Sequence, residues 1–151
     1  MMSDMEERVE NYLATHHAAA MITLRADGSP HAVRCGIALV DGKLWSSGVP
    51  QRVRNRHLRR DPRATLFVFG NEEGDKFSYL TLEGTVRILD GPDAAEFNRR
   101  LFTVMQASLE KPPDTLFWER TLRTVDEFLQ IMTDERRLIY EFEITRSHGM
   151  F

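Results

Sequence analysis

Residues 33–48, VRCGIALVDGKLWSSG, contain the clearest strand-turn-strand signal in the chain. In the first half every second residue is apolar and belongs to one face of a strand: Val33, Cys35, Ile37 and Leu39. Asp41-Gly42 follows as a two-residue hairpin signal, because glycine accepts the positive φ that such a turn requires. A further strand over residues 43–47 ends at Gly48-Val49-Pro50. The stretch therefore predicts an antiparallel hairpin.

Four other segments have strand character, at residues 18–25, 64–69, 77–89 and 138–145. Gly84 interrupts the longest of them and predicts a bulge or bend there. Short connections join most of the six strands, which favours an antiparallel barrel over parallel βαβ units. No glycine-rich dinucleotide fingerprint follows any strand. The sequence thus predicts a mainly β (α+β) fold, a six-stranded antiparallel barrel with peripheral helices.

Helices are predicted around this barrel at four places. A capping box of Ser3 and Glu6 starts the first helix, which ends near His16 or His17, with Met5, Val9, Tyr12 and Leu13 on one side. Residues 52–60 form a short helix that stops before Asp61-Pro62. Asp93 and Glu96 cap a third helix. Residues 114–132 form a fourth, with Phe117 and Leu122 on its inner face.

The length and charge of the chain indicate what kind of protein it is. We expect its 151 residues to form a single domain over 1–151. The N-terminal residues are acidic and no apolar run approaches bilayer length, which predicts a cytoplasmic protein without membrane attachment. A net charge of −3 argues against nucleic acid as a partner. The single cysteine, Cys35, is expected to be a buried and inert thiol.

The densest charged feature is residues 51–63, QRVRNRHLRRDPR, with six arginines in thirteen positions. Arg52 and Arg54 lie at the start of a helix, where free backbone N–H groups already favour an anion. The planar guanidinium also matches phosphate oxygens in bidentate pairs. From the residues alone, phosphate binding and a solvated charged face are about equally supported, and an RNA-binding patch is a weaker third interpretation.

Four blocks in order resemble a known family: LRADGSPH at 24–31, GKLWSSG at 42–48, NRHLRRDPR at 55–63 and LEGTV at 82–86. Together they resemble the flavin/deazaflavin oxidoreductases, which share the FMN-binding split β-barrel of pyridoxamine 5′-phosphate oxidase. The resemblance implies a homodimer with cofactor sites at the subunit interface. It is strongest to the branch that takes the deazaflavin coenzyme F420, with FMN as the alternative cofactor.

That resemblance also implies a set of cofactor-binding residues. Arg52 and Arg54 would hold the cofactor phosphate, with Asn55 and the strand end Ser46, Ser47 and Gly48 beside it. The backbone at Val33, Arg34 and Cys35 would lie along the ring system, and Phe77 and Tyr79 would border the pocket. Two positions depart from the branch, since Arg54 replaces a frequent Lys and Phe77 a larger aromatic residue. Arg34 either reaches the acidic tail of the deazaflavin or lies on the barrel exterior.

The function implied is hydride transfer from reduced F420 to a small unsaturated acceptor such as an enone, a quinone or a tetrapyrrole. The cofactor ring carries that chemistry, so no dedicated catalytic side chain is expected. The five histidines lack ligand spacing with Cys or carboxylates, so no metal site is expected. Seventeen arginines against three lysines suit a GC-rich actinobacterial source, which favours F420. The alternatives are an FMN-dependent oxidase or reductase and an F420-binding carrier without turnover.

Overall fold

The computed structural model describes residues 3–70 and 73–151. Six strands close an antiparallel barrel in the order β1-β2-β3-β8-β5-β4, and β6 and β7 form a separate two-stranded sheet. The elements, in chain order, are α1 (Asp4–Thr15), β1 (Ala18–Leu24), β2 (Pro30–Val40), β3 (Lys43–Gly48), α2 (Val53–Arg60), β4 (Arg63–Phe69), β5 (Tyr79–Leu89), α3 (Ala94–Met105), β6 (Thr115–Trp118), β7 (Thr121–Thr124), α4 (Val125–Asp134) and β8 (Leu138–Met150). The predicted six-stranded antiparallel barrel is confirmed.

The hairpin between β2 and β3 has the predicted geometry. Val40 pairs with Lys43, and the two residues between them, Asp41 and Gly42, have φ values of 50° and 79°. Positive φ at both central positions defines the type I′ turn, whose twist matches that of the flanking strands. The turn fixes the register, so that Val33, Cys35, Ile37 and Leu39 all contact the main core.

Gly84 marks the predicted bulge. The register between β5 and β8 shifts between Glu83 and Gly84. A Cβ atom at Gly84 would lie only 1.9 Å from the carbonyl oxygen of Glu143 on the neighbouring strand. The close approach of the two backbones therefore requires glycine.

Helix α1 covers one end of the barrel. Ser3 and Glu6 form the predicted capping box, and Val9, Tyr12 and Leu13 pack into the main core. Met5 was expected on this inner face, but it is 47% exposed. It lies in the first turn of the helix, and the buried residues of α1 begin only at Val9.

Helix α3 packs on the outside of β2 and β3, where Leu101 joins Ala38, Val40, Trp45 and Ile139 in a second apolar cluster. The helix starts where predicted, after Asp93, but the Asp93 side chain makes no capping hydrogen bond. Asp93 has φ −87° and ψ −1° rather than the extended backbone typical of a capping residue.

The prediction of one helix over residues 114–132 is wrong. Residues 115–124 form the β6–β7 hairpin, and only Val125–Asp134 is helical. The turn of the hairpin consists of Glu119 and Arg120, both with positive φ and without the glycine that usually signals such a turn. Helix α4 begins instead at a capping box of Thr124 and Glu127, which the sequence analysis missed. We call residues 115–134 the excursion.

Two strand ends also differ from the predictions. Strand β5 begins at Tyr79, so Phe77 belongs to the preceding turn, and β8 continues to Met150 because its second half pairs with residues 79–83 of β5. No helix in the described part of the chain is long and apolar enough to span a bilayer.

Candidate functional site

Helix α2 starts directly beyond the end of β3. Gly48 is the last residue of the strand, and Arg52 is the N-cap residue of α2, with extended backbone and no side-chain capping bond. Its backbone N–H donates to the Val49 carbonyl at 3.3 Å. A short link thus places the N–H groups of the first helical turn and the arginines of that turn beside the strand end.

Asn55 fixes this turn to the barrel. Its Nδ2 donates to the carbonyls of Val49 (2.8 Å) and Pro50 (3.1 Å), and its Oδ1 accepts a hydrogen bond from the Tyr140 hydroxyl on β8. All of these groups lie close to the end of the barrel. Asn55 therefore supports the site, and its side chain is already occupied by protein partners.

Arg54 is the most unusual side chain of the site. It is only 7% exposed, and its guanidinium carbon lies 4.6 Å from the centroid of the Tyr140 ring. Nη2 donates to the Ser47 carbonyl at 3.2 Å, while Nε is buried without a partner. Within residues 3–70 and 73–151 no carboxylate lies within 4.0 Å of it. A buried cation without a counter-ion is costly, so this position favours an anionic ligand.

The later arginines of the same segment have partners. Arg59 pairs with Asp90 at 3.0 Å, Arg63 pairs with Asp61 at 2.7 Å, and Arg60 donates to the Leu24 carbonyl at 2.7 Å. Hydrogen bonds from Arg63 lower the pKa of Asp61 to about 2. The segment therefore contains three arginines with protein partners, the exposed Arg56, and an early pair, Arg52 and Arg54, that lines a pocket.

This pocket, which we call the arginine pocket, has a volume of about 250 Å³. Its lining residues are Arg34, Cys35, Gly36, Ser47, Gly48, Arg52, Arg54, Leu101, Phe102, Met105 and Arg137. An adjoining cleft of about 370 Å³ shares Arg34, Arg52 and Arg54 with it and adds His31, Val33, Gln51 and Val53. None of the residues that the structure describes along either space is acidic. Together they form one positively charged groove along the outer edge of β2.

Most of the residues expected to bind the cofactor meet here. Arg34, Cys35, Ser47, Gly48, Arg52 and Arg54 line the arginine pocket, and Val33 lines the adjoining cleft. Ser46 is close by but buried, and its hydroxyl donates to the Gly36 carbonyl at 2.7 Å. The Ser47 hydroxyl donates to Asn98 of α3. Both serines thus contribute mainly through their backbone.

Cys35 is half-buried rather than buried as expected, because it packs against the main core on one side and lines the arginine pocket on the other. Burial raises its pKa, against smaller opposing effects of Ser46 and Arg54. The raised pKa keeps the sulfur protonated at neutral pH, which agrees with an inert thiol.

Phe77 and Tyr79 are not brought to this pocket within one chain. Phe77 is 83% exposed in the turn before β5, and Tyr79 stacks on Phe67 with ring centroids 5.4 Å apart. Phe67 in turn lies 6.2 Å from Phe69, and the Arg34 guanidinium lies 5.5 Å from the Phe69 ring. We call Phe67, Phe69 and Tyr79 the aromatic row. It runs over the barrel exterior from the rim of the arginine pocket.

Several residues of the pocket were missed by the sequence analysis. Arg137 enters from the start of β8, and Leu101, Phe102 and Met105 form an apolar wall on α3. The helical periodicity of α3 had indicated only that this face is buried. Arg137 precedes the strand that pairs with β3, with Gly48 opposite Leu138, and that pairing alone would have placed it near the strand end.

A larger cavity lies elsewhere. It measures about 670 Å³ between the C-terminal ends of α1 and α3 and is lined by His16, His17 and Asp75 among others. His16 Nε2 lies 2.6 Å from Asp75 Oδ2. Hydrogen bonds from Ser78 and His16 lower the pKa of Asp75, so a phosphate placed here would meet a carboxylate. In the part of the chain that the structure describes, no three His, Cys, Asp or Glu side chains cluster as a metal site would require.

A comparison with protein families matches residues 5–128 to the family described as pyridoxamine 5′-phosphate oxidase. Among solved structures, a conserved hypothetical protein from Mycobacterium tuberculosis is similar with a TM-score of 0.72 and 19% identity, over 99% of this chain and 85% of that one. An F420 reductase is similar with a TM-score of 0.63 and 19% identity, over 92% of this chain and 94% of that one. An FAD-binding protein from Mesorhizobium loti is similar with a TM-score of 0.61 and 16% identity, over 98% of this chain and 94% of that one. At these identities the likenesses establish the fold.

Proposed function

Because the chain belongs to the pyridoxamine 5′-phosphate oxidase family, we propose that it is an oxidoreductase that binds a flavin-type cofactor by its phosphate. One observation carries this proposal. Among the residues that the structure describes, Arg54 is buried without a counter-ion in the first turn of α2, and the described lining of its pocket contains no acidic residue. A phosphate there would neutralise Arg54, pair with Arg52 and accept from free N–H groups at the helix start.

The other lining residues fit the rest of such a ligand. Arg34 to Gly36 pair with β1 on one side and lie beyond the first pair with β3, Ile37 with Ser46, so their other side is a strand edge. Leu101, Phe102 and Met105 line the same pocket with apolar side chains that would exclude water. Exclusion of water strengthens the attraction between arginine and phosphate. When bound, the cofactor supplies hydride chemistry, in which an acceptor double bond takes up a hydride and then a proton from solvent. The chain's residues hold and orient the ligand.

The finer proposal is that the cofactor is coenzyme F420 and the acceptor a small enone, quinone or tetrapyrrole, in the cytoplasm. The four blocks at 24–31, 42–48, 55–63 and 82–86 resemble the deazaflavin branch most, and the arginine-rich composition agrees with a source that makes F420. The similarity in fold to an F420 reductase is consistent with this choice.

We also propose that the protein works as a homodimer with the cofactor site at the subunit interface. The aromatic row lies on the barrel exterior, where Phe67 is 38% exposed. Arg34 lies in the arginine pocket and also contacts Phe69 of the row. A second copy seated on the row would therefore border the pocket and bring further aromatic side chains to it.

An FMN-dependent oxidase or reductase is the second candidate. FMN also carries a phosphate on its ribityl chain, so the arginine pocket fits it by the same contacts, and one protein of similar fold is an FAD-binding protein. A carrier that binds F420 without turnover is the third. Repeated reduction of an acceptor with excess reduced F420 distinguishes an enzyme from a carrier, because a carrier releases no oxidised cofactor.

The proposal is tested by titrating the purified protein with F420 and with FMN while following tryptophan emission. We expect F420 to bind at least about tenfold more tightly, and Arg52→Ala and Arg54→Ala each to weaken binding by about 1–3 kcal/mol, the effect of a lost charged hydrogen bond. Arg59→Ala and Arg63→Ala are matched controls from the same segment, since both arginines pair with aspartates, and they should bind as the wild type does.

Two outcomes would count against the proposal. If FMN binds as tightly as F420, the choice of cofactor is wrong and the phosphate site stands. If Arg52→Ala and Arg54→Ala bind both ligands as well as the controls do, the phosphate does not lie at the start of α2 and the proposed function is wrong.

A further inference from the structure

The excursion has no role in closing the barrel, yet it is tied to the arginine pocket through one side chain. Arg137, which follows α4, lies with its guanidinium carbon 4.7 Å from the centroid of the Trp118 ring. Trp118 is itself fixed by edge contacts with Phe102 at 5.4 Å and Phe128 at 5.9 Å. The excursion therefore provides a rigid aromatic surface on which Arg137 rests.

The remaining contacts of Arg137 leave its outer nitrogens available. Its Nε donates to Glu135 Oε1 at 3.0 Å, and its backbone N–H donates to the Met132 carbonyl at 2.9 Å. In the described part of the chain, Nη1 and Nη2 have no protein partner. The backbone hydrogen bond, the contact of Nε with Glu135 and the stacking on Trp118 together fix the orientation of the guanidinium. Its two terminal nitrogens therefore point in a fixed direction.

These edges belong to the same pocket as Arg52 and Arg54. Leu138 pairs with Gly48, so the start of β8 lies beside the strand end from which α2 departs. Arg137 thus approaches the pocket from β8, while Arg52 and Arg54 approach it from α2. Glu135 neutralises part of the charge of Arg137, whereas no carboxylate of the described residues lies within 4.0 Å of Arg52 or Arg54.

We propose that Arg137 is a third phosphate-binding arginine of this pocket and that Trp118 is its positioning residue. The inference rests on the proposed function. It gives the excursion a task, which is to hold a guanidinium opposite the α2 arginines so that a phosphate is contacted from two sides. It also narrows the ligand class, because three of the four arginines that line this small pocket would contact one phosphate group, whether that group ends the ligand or links two parts of it.

The test compares a ligand with and without its phosphate, namely FMN and riboflavin, or F420 and its phosphate-free chromophore. Arg137→Gln should weaken binding of the phosphate-bearing ligand about tenfold and change binding of the phosphate-free one less than about twofold. Arg137→Lys keeps the charge and should recover part of the loss. Arg136→Gln changes the exposed neighbouring arginine and serves as the matched control.

Trp118→Leu should shift the ratio of the two affinities in the same direction, and it should have no further effect once Arg137 is Gln. The inference is overturned if Arg137→Gln weakens both ligands equally, or neither. It is also overturned if Trp118→Leu acts independently of Arg137.

Failure of the proposed function gives a different result. In that case Arg52→Ala leaves the ratio of the two affinities unchanged, or the wild-type protein binds neither phosphate-bearing ligand, and the assignment of Arg137 is lost with it.

Discussion

Arg54 shows how a side chain that we propose binds phosphate can lower the stability of the free protein. Its charge is buried against Tyr140 and Ser47 without an anion, and the energetic cost of that desolvation falls on the folded state. A bound phosphate would offset this cost. The residue is thus more useful to a complex than to the free protein.

We therefore predict that replacing Arg54 by an apolar residue raises the stability of the free protein and lowers its affinity for the cofactor. Arg54→Met should raise the free energy of unfolding of the ligand-free protein by about 1 kcal/mol or more, because an apolar side chain of similar length replaces an uncompensated buried charge. The same variant should lose affinity for F420 and FMN. Urea unfolding measures the first effect and ligand titration the second. Arg59→Met, at an exposed ion pair, should change neither by much. A clear loss of stability in Arg54→Met would mean that its contacts with Tyr140 and Ser47 outweigh desolvation.

The burial of His57 predicts that the stability of the protein depends on pH. Burial lowers its pKa, and the nearby positive groups His31 and Arg60 lower it further, while Nδ1 lies 2.9 Å from the Thr23 hydroxyl. The unfolded chain binds a proton at His57 more readily than the folded one, so stability falls as the pH drops below about 6.5. The unfolding temperature should decrease from pH 7.5 to 5.5, and less steeply in His57→Asn, which has no proton to bind. Parallel curves for the two proteins would refute the prediction.

At the scale of elements, the link between β3 and α2 positions the pocket. Asn55 joins that link to Tyr140 through three hydrogen bonds. Asn55→Ala removes them and leaves the Pro50 carbonyl and the Tyr140 hydroxyl without the amide, while the Val49 carbonyl keeps only the Arg52 N–H. We expect a loss of about 2 kcal/mol or more in the free energy of unfolding, measured in urea. Tyr140→Phe removes only one of these bonds and should cost less. Equal stability of Asn55→Ala and the wild type would show that water replaces the amide.

The elements also show what could be read from the sequence. The β2–β3 hairpin, the bulge at Gly84 and the capping box of α1 were predictable, because each depends on a local residue type with a specific backbone requirement. The β6–β7 hairpin was not. Its turn uses Glu119 and Arg120 at positive φ, which neither residue type signals, and its apolar residues also fit helical spacing. Its conformation depends on tertiary contacts, such as that of Leu116 with Phe128 and Met132.

The site was predictable to a similar degree. Arg52 and Arg54 stood out by their density and by their place after a strand end. Arg137 carried no such signal, since it is one arginine among seventeen and meets the others only because β8 pairs with β3. Phe77 and Tyr79 lie apart from the pocket within one chain.

At the scale of the whole molecule, the net charge is −3, yet the groove lined by arginines is locally positive. Beside this groove the aromatic row offers an apolar surface, which we propose is covered by a second copy. Phe67→Glu should convert a dimer into a monomer, because a carboxylate would be buried in the interface. Light scattering coupled to size exclusion measures the mass, and Leu122→Glu, on the excursion, is the control. A wild-type monomer that binds F420 tightly would contradict the shared site.

All of these expectations depend on where the phosphate binds. The most direct measurement is a crystal structure of the protein in complex with F420 or FMN. We predict that the phosphate lies within hydrogen-bonding distance of the guanidinium groups of Arg52 and Arg54, at the first turn of α2. A bound cofactor whose phosphate lies elsewhere, with Arg54 Nε still unpartnered, would contradict the proposal.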